Sequence, residues 1–305
     1  MWGKSKTFVI LGLWCILAAG ILLKPGEAFV LAAQALQLWF DRMIPALFPF
    51  MILSGILIRL HLSEKLAALF APVLRPFFRL DNHCLYVMLI GLFCGFPMGA
   101  RACRESLDHK KITVSEGQLL LAFCNNAGPV YVTGYLFPLL KVIEKSKALL
   151  LFYGIPLLYG LILRYTAYRK TVSFSGNTNL HYNTKDTCPA DALEKAINAS
   201  IEGITVLGGY MIICNMLNLF PILIGFKGII PSILGCLLEI TGGLKGAKHM
   251  PIGWGLGLLT FGGLSCIAQT FSCIKGTSLS LKKYICHKII QSLLIAGAAG
   301  LMGLS

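Results

Sequence analysis

The fold is decided by residues 91–134, GLFCGFPMGARACRESLDHKKITVSEGQLLLAFCNNAGPVYVTG. Two apolar arms flank a short charged span, and each arm is interrupted. The first interruption is Gly95-Phe96-Pro97-Met98-Gly99-Ala100 and the second is Asn125-Asn126-Ala127-Gly128-Pro129. Proline removes a backbone donor and glycine leaves the backbone unshielded, so a regular helix is not expected through either. In water these would be loops. In lipid they would be broken helices, tolerated only where protein or a water-filled cavity satisfies the freed backbone groups.

Composition chooses between the two. The chain is 56% hydrophobic and 13% charged, with a mean hydropathy of +0.74. Soluble domains average about 45–50% apolar and roughly 25% charged. Uncharged stretches recur at 7–23, 43–58, 84–100, 117–140, 148–163, 203–226, 250–274 and 289–305. A spanning helix needs about 20 apolar residues. Three of the stretches (117–140, 203–226 and 250–274) exceed that length, and the others are short spans or half-spans. The expected fold class is all-α: a polytopic integral membrane protein. Continuous rather than alternating apolar runs argue against a membrane barrel.

The net charge of +14 fits juxtamembrane Lys and Arg, which favour the cytoplasmic face and anionic lipid. With no basic stripe interleaved with aromatics, nucleic acid is not an expected partner. The 11 cysteines include no C-x-x-C pair. Eight of them (Cys15, Cys84, Cys94, Cys124, Cys214, Cys236, Cys266, Cys273) fall in or beside apolar stretches, where a reduced thiol acts as a small hydrophobe. Neither a disulfide framework nor a metal site is expected.

In chain order, Lys4 and Lys6 precede an apolar run closed by Lys24-Pro25, read as a first spanning helix rather than a signal peptide (N-terminal segment 1–27). Residues 28–42 suggest an interfacial or short membrane helix, and a separate span follows from Ile44, kinked by Pro45 and Pro49. Residues 62–79 are amphipathic and suit a surface-lying helix. Thr113 and Glu116 have the spacing of a helix-capping pair. If 84–100 spanned fully, the basic clusters at 59–79 and 101–111 would lie on opposite faces, against the positive-inside tendency. A re-entrant hairpin puts both on one face and is preferred. Residues 166–191 are a polar connector between the halves 28–165 and 192–305.

Those halves resemble each other. Ile44–Leu60 aligns without gaps with Ile204–Phe220, Cys94–Arg101 with Thr241–Lys248, and Leu121–Gly128 with Leu259–Cys266, all in the same order. Membrane transporters are commonly built from such repeats, with substrate sites near the midplane where interrupted helices meet.

Phe48-Pro49-Phe50, GFPMGA, CNNAGP, Leu238-Glu239-Ile240-Thr241-Gly242-Gly243 and Phe261–Gln269 together resemble the nucleoside-recognition Gate-domain proteins. Within that group they are most similar to the YlbJ-type sporulation integral membrane proteins of spore-forming Firmicutes. The resemblance covers about residues 30–300, although at 305 residues the chain is shorter than typical YlbJ-type members. It implies kinship with concentrative nucleoside transporters and the membrane part of the ferrous-iron transporter FeoB. It further implies two inverted repeats, each with a re-entrant hairpin and a broken helix, and a link to endospore formation and dipicolinate movement.

Ionisable and polar groups within membrane segments are functional candidates by default. Glu239 follows the apolar run 228–238 and suits a coupling cation, a proton or Na+, or the substrate itself; its bland alternative is an interfacial carboxylate near Lys245 and Lys248. Asn125 and Asn126 offer donors and acceptors to a heteroaromatic or carboxylate ligand, or merely cap a helix. Gln269 can bond substrate or a neighbouring helix, and Arg101 can pair with a carboxylate or anchor at the interface. Gly95, Pro97, Gly99, Gly128, Pro129, Gly242 and Gly243 are read as backbone breaks. No nucleophile–base grouping or phosphate-binding loop is present, so an enzyme is not expected and no resident cofactor is implied. The expected function is a secondary transporter or permease for a small polar metabolite, nucleoside-like or a dipicolinate-like anion, in a bacterial cell membrane and associated with sporulation. The rival is a non-transporting scaffold of a sporulation or envelope complex. Expected partners are a small-molecule substrate and the bilayer, with a homo-oligomer as a further candidate.

Overall fold

Apolar segments in lipid must satisfy their backbone groups internally, which makes helices the expected outcome. The computed structural model describes residues 4–60, 62–172, 188–226, 229–246 and 250–304, and among these all regular structure is helical. The side chains of Lys4 and Lys6, most of the 166–191 connector, and Lys248 lie outside the described residues.

Helix α1 (Lys4–Leu23) has 20 residues. Helix α2 (Pro25–Leu38) continues through a π-helical turn at Trp39–Met43 into α3 (Ile44–Arg59). The two elements expected at 28–42 and 44–58 are thus one helical run of 35 residues, Pro25–Arg59. At the wide turn the Ile44 amide donates to Trp39 O, five residues back, immediately before Pro45. A π-turn absorbs the proline's missing donor and its ring, and so bends the helix instead of ending it.

Helix α4 (Ser63–Phe78) buries Ala67, Ala71 and Phe78 on one face and exposes Leu69, Val73 and Phe77 on the other. Two short helices follow, α5 (Asn82–Phe93) and α6 (Met98–Asp108). After α6, Lys111 Nζ lies 3.7 Å from Glu64 Oε1, and His83 Nε2 at the start of α5 lies 3.7 Å from the same oxygen. The α5–α6 pair therefore returns to the end from which it set out. Helix α7 (Val114–Cys124) opens on the capping pair read from sequence: the Glu116 amide donates to Thr113 Oγ1 at 3.3 Å, and the Thr113 amide to Glu116 Oε2 at 2.7 Å.

The first half closes with α8 (Pro129–Tyr131), a second π-turn at Val132–Leu136, α9 (Phe137–Leu140) and α10 (Lys145–Tyr165). The second half contains α11 (Pro189–Met216), α12 (Leu219–Ile224), α13 (Ile230–Leu238), α14 (Ile240–Gly246), α15 (Ile252–Phe261), α16 (Gly263–Ile274) and α17 (Leu281–Leu301). Among the described residues five helical runs are long and apolar enough to cross a membrane: Pro25–Arg59, Lys145–Tyr165, Pro189–Ile224, Ile252–Ile274 and Leu281–Leu301. Large side chains such as Leu22, Phe29, Leu293 and Leu301 are left exposed, as a lipid-facing surface requires.

Without a hydrophobic drive between helices in lipid, small residues and hydrogen bonds must hold them together. Gly253 and Gly257 of α15 face Ala296, Ala299 and the α17 backbone, and Ser292 Oγ donates to Gly257 O at 2.7 Å. Gly55 of α3 rests on Ala196 of α11, and Trp39 Nε1 donates to Ile204 O at 2.8 Å. Helices α3 and α11, which carry the matching stretches Ile44–Leu60 and Ile204–Phe220, thus pack against each other.

Candidate functional site

The two interruptions in residues 91–134 touch. Phe96 N donates to Asn126 O at 2.8 Å. Gly95 has φ +78°, and a Cβ there would run into Gly128 N. A Cβ on Gly128 would in turn meet Cys94 O at 3.0 Å. Only glycine meets both demands, a left-handed backbone and contact between two main chains. Helix α5 ends and α7 ends at this crossing, while α6 and α8 leave from it.

A second crossing lies in the other half. Helices α13 and α14 are separated at Glu239, whose backbone is extended, and α15 and α16 at Gly262 (φ +82°). A Cβ on Gly263 would meet Cys236 O at 2.7 Å, so the second interruption again rests on the end of the preceding broken pair. Phe96 joins the two crossings, because a Cβ on Gly262 would lie 3.2 Å from its ring.

Glu239 is buried and fixed by the helix it begins. Its Oε1 accepts from Thr241 N at 3.1 Å and its Oε2 from Gly242 N at 2.5 Å. This carboxylate capping explains a departure from the sequence reading: Gly242 and Gly243 stand inside α14 rather than in a break, which falls at Glu239 instead. Gly243 instead lets α14 close onto the Cys236 backbone of α13. Gly99 likewise lies in the first turn of α6, against Gly91 and Asn125, while Pro97 precedes that helix and Pro129 begins α8.

A cavity of about 50 Å³ opens where the crossings meet, lined among others by Phe96, Tyr131, Glu239, Thr241, Cys266 and Gln269. A neighbouring cavity of about 230 Å³ is lined by Met98, Arg101, Glu202, Gly203 and Ser272, and also by Gln269. Gln269 Nε2 donates to Ser265 Oγ at 3.0 Å within α16, which leaves the side chain at the partition between the two spaces. Arg101 is held by Glu105 at 3.3 Å and donates to Ala199 O at 3.1 Å. Beside Glu239, the buried Tyr131 hydroxyl has no hydrogen-bond partner of normal geometry among the described residues.

The structure therefore brings Glu239, Gln269 and Arg101 onto two adjoining cavities. The asparagine pair does not line either one. Asn125 Nδ2 donates to Thr270 Oγ1 at 3.0 Å and to Tyr284 OH at 3.2 Å, and Asn126 Nδ2 donates to Phe123 O at 2.7 Å. Asn126 Oδ1 accepts from Nζ of Lys288, a fully buried lysine in α17. Lys288 also sits over the rings of Phe96 (5.2 Å to centroid) and Tyr284 (5.8 Å). The asparagines thus stand behind Phe96, one layer from the cavity. Sequence reading passed over Lys288, Tyr284, Thr270 and Gln291. The signal available was weak: Lys288 follows Lys282, Lys283 and His287 in the first half of its helix, and Gln291, three residues on, lies within the uncharged run 289–305. Among the described residues no three His, Cys, Asp or Glu side chains gather as a metal site would require.

Comparison with known proteins bears on the same region. The model of the Gate family, described as nucleoside recognition, matches residues 40–138, which include the first crossing. Over 131 residues the chain is 28% identical to the sporulation integral membrane protein YlbJ of Bacillus subtilis (strain 168). That alignment covers 43% of this chain and 32% of the relative, so the chain matches about a third of that protein's length. No solved structure gives a significant match. With its membrane-length helices, the chain is a multi-pass membrane protein, similar to YlbJ over 131 residues and to the Gate family at residues 40–138.

Proposed function

We propose that the protein is a secondary transporter or permease for a small polar metabolite, nucleoside-like or a dipicolinate-like anion, acting in a bacterial cell membrane during sporulation. The observation that carries this reading is the convergence of interrupted helices from both halves on one cavity bearing Glu239 and Gln269. Irregular backbone at membrane depth is found where it lines a pathway or is sealed by protein, and ionisable residues there mark substrate or ion sites. In this reading Glu239 binds the coupling proton or Na+ or contacts substrate, Arg101 lines the approach, and Gln269 senses which side is occupied. The recurrence of a broken pair followed by a broken helix supports an origin in two related repeats, with α5–α6 as a re-entrant hairpin.

The test is uptake into proteoliposomes with a panel that includes dipicolinate and nucleosides. Wild-type protein is expected to move at least one of them, and Glu239→Gln to reduce that rate by about tenfold or more at equal amounts of folded protein. The glutamine keeps one of the two acceptors of the α14 cap and loses the other, so rates are compared per folded molecule before a loss is assigned to the ionisable group. If no panel member moves and the variant leaves spore dipicolinate unchanged, the scaffold reading replaces transport.

A further inference from the structure

A groove of about 1230 Å³ lies between α4, the start of α5 and the end of α10, and it shares no lining residue with the two cavities at the crossings. Arg75, Arg79, Arg164 and Arg169 line it, and among the described residues no Asp or Glu does. Helix geometry alone accounts for part of this cluster. Helices α4 and α10 both end here, and basic side chains gather where helix carbonyls are left open. Arg164 follows that rule: it is 5% exposed and donates from Nε to Phe78 O at 3.1 Å and from Nη2 to Arg79 O at 3.2 Å. Arg75 Nη2 donates to Asn82 Oδ1 at 2.5 Å and so ties α4 to the first residue of α5.

Arg79 and Arg169 do not follow it. Both are exposed, and among the described residues neither side chain holds a hydrogen bond or a carboxylate. Arg79 stands at the left-handed position that ends α4 (φ +46°), where glycine or asparagine is the usual choice. That position gains nothing from arginine except its charged side chain. Arg164 adds a second indication. Carbonyl oxygens satisfy its donors but bring no counter-charge, and among the described residues no carboxylate pairs with it, although buried charges are ordinarily matched.

The floor of the groove is Ala68, Pro72 and Pro76 of α4. The residues that follow each of them, Leu69, Val73 and Phe77, form a parallel stripe that is 73%, 66% and 60% exposed. Successive helical residues lie about 100° apart, so an apolar stripe open to lipid runs beside an arginine-lined trough. We infer that this groove binds the headgroup of an anionic phospholipid. Arg79, Arg164 and Arg169 hold the phosphate, and the acyl chains lie along Leu69, Val73 and Phe77. Guanidinium forks match phosphate oxygens in pairs, and basic pockets between membrane helices suit such headgroups. A soluble phosphate would leave the apolar stripe unused. The lipid bridges the ends of α4 and α10, a joint that Arg164 already makes on the protein side.

The test uses the purified full chain in detergent, with phosphatidylglycerol, phosphatidylcholine or water-soluble glycerophosphoglycerol added, read by native mass spectrometry and thermal melts. Phosphatidylglycerol is expected to bind more tightly than phosphatidylcholine and to stabilise the protein more than glycerophosphoglycerol does. Arg79→Asn combined with Arg169→Gln is expected to weaken phosphatidylglycerol binding about thirtyfold. The control is Lys141→Asn combined with Lys145→Gln, which removes two charges at the opposite end of α10. Lys141 also occupies a left-handed helix end (φ +52°), so backbone and net charge are matched. The control is expected to bind as the wild type does. Should the double arginine variant fail to fold, Arg169→Gln alone, at an exposed turn, is expected to cost about fivefold. Equal binding of the two lipids, or equal losses in the variant and its control, overturns the inference. Stabilisation by glycerophosphoglycerol that matches phosphatidylglycerol also overturns it, and makes the groove a soluble-phosphate site. Metabolite uptake is no part of the readout, so the result stands whichever way the transport test falls.

Discussion

Gly95 and Glu239 do different work at the two interruptions. Gly95 is a matter of space and dihedral angle: its backbone is left-handed and its missing Cβ is occupied by Gly128. Gly95→Ala is expected to lower stability by about 2 kcal/mol or more, read as the melting temperature in detergent. Gly297→Ala, which meets nothing within 4 Å inside α17, is expected to be neutral or slightly stabilising because alanine suits a helix better. Equal effects from both would remove the crossing as the reason for Gly95. The glycine and proline interruptions of 91–134 were legible in the sequence because their residue types act locally. The placement of Asn125 and Asn126 behind Phe96 was not, since it depends on which face of α17 packs on the end of α7. Lys288 was hidden for the same reason: after Lys282, Lys283 and His287 it reads as one more basic residue of the helix end until its side chain is seen to turn inward.

At the level of elements, the capping box on α7 follows directly from Thr113 and Glu116. Thr113→Ala is expected to destabilise the protein by about 1 kcal/mol, and Thr113→Ser to restore most of it; thermal melts of the pair decide. The helix α7 matters beyond its own stability, because its far end carries the asparagines and Gln118 in its second turn exchanges two hydrogen bonds with Ser280 at the start of α17. Sequence reading divided Pro25–Arg59 into two elements because Asp41 and Arg42 interrupt the apolar run and, with Trp39, suit a headgroup-level end just before Pro45. The π-turn before Pro45 carries no residue signature of its own, which is why the continuity of that run emerged only in three dimensions. The break at Glu239 was placed among the glycines that follow it, for a related reason. Glycine suggests irregular backbone, whereas the capping carboxylate that starts α14 acts through hydrogen bonds that spacing alone leaves ambiguous.

For the whole molecule, contacts gather basic residues at one end. Arg164, in the last turn of α10, donates to Phe78 O and Arg79 O at 3.1 and 3.2 Å, Lys111 approaches Glu64 at 3.7 Å, and Arg104 Nη1 donates to Lys275 O at 2.5 Å. Lys145 and Lys147 start α10 at the opposite end, 21 residues of helix away from its Tyr165 terminus. By the positive-inside tendency the richer end faces the cytoplasm. In a background lacking the exposed Cys15, Cys188 and Cys286, single cysteines at Arg79, Lys111 and Lys275 are expected to label from that side alone, and one at Lys147 from the other. Labelling of Arg79→Cys and Lys111→Cys from opposite faces would mean that α5–α6 crosses the membrane rather than turning back.

The crossing of the interruptions is made largely of main-chain atoms: Phe96 N on Asn126 O, and Gly95 against Gly128. Such a joint does not depend on the identity of the side chains that project from it. Cavity-wall side chains such as Ala127 and Tyr131 can therefore be exchanged by natural drift or by design with the frame left standing. On the proposed reading of the cavity, a few substitutions on its wall would change which ligand it takes while the main-chain joint stays as it is.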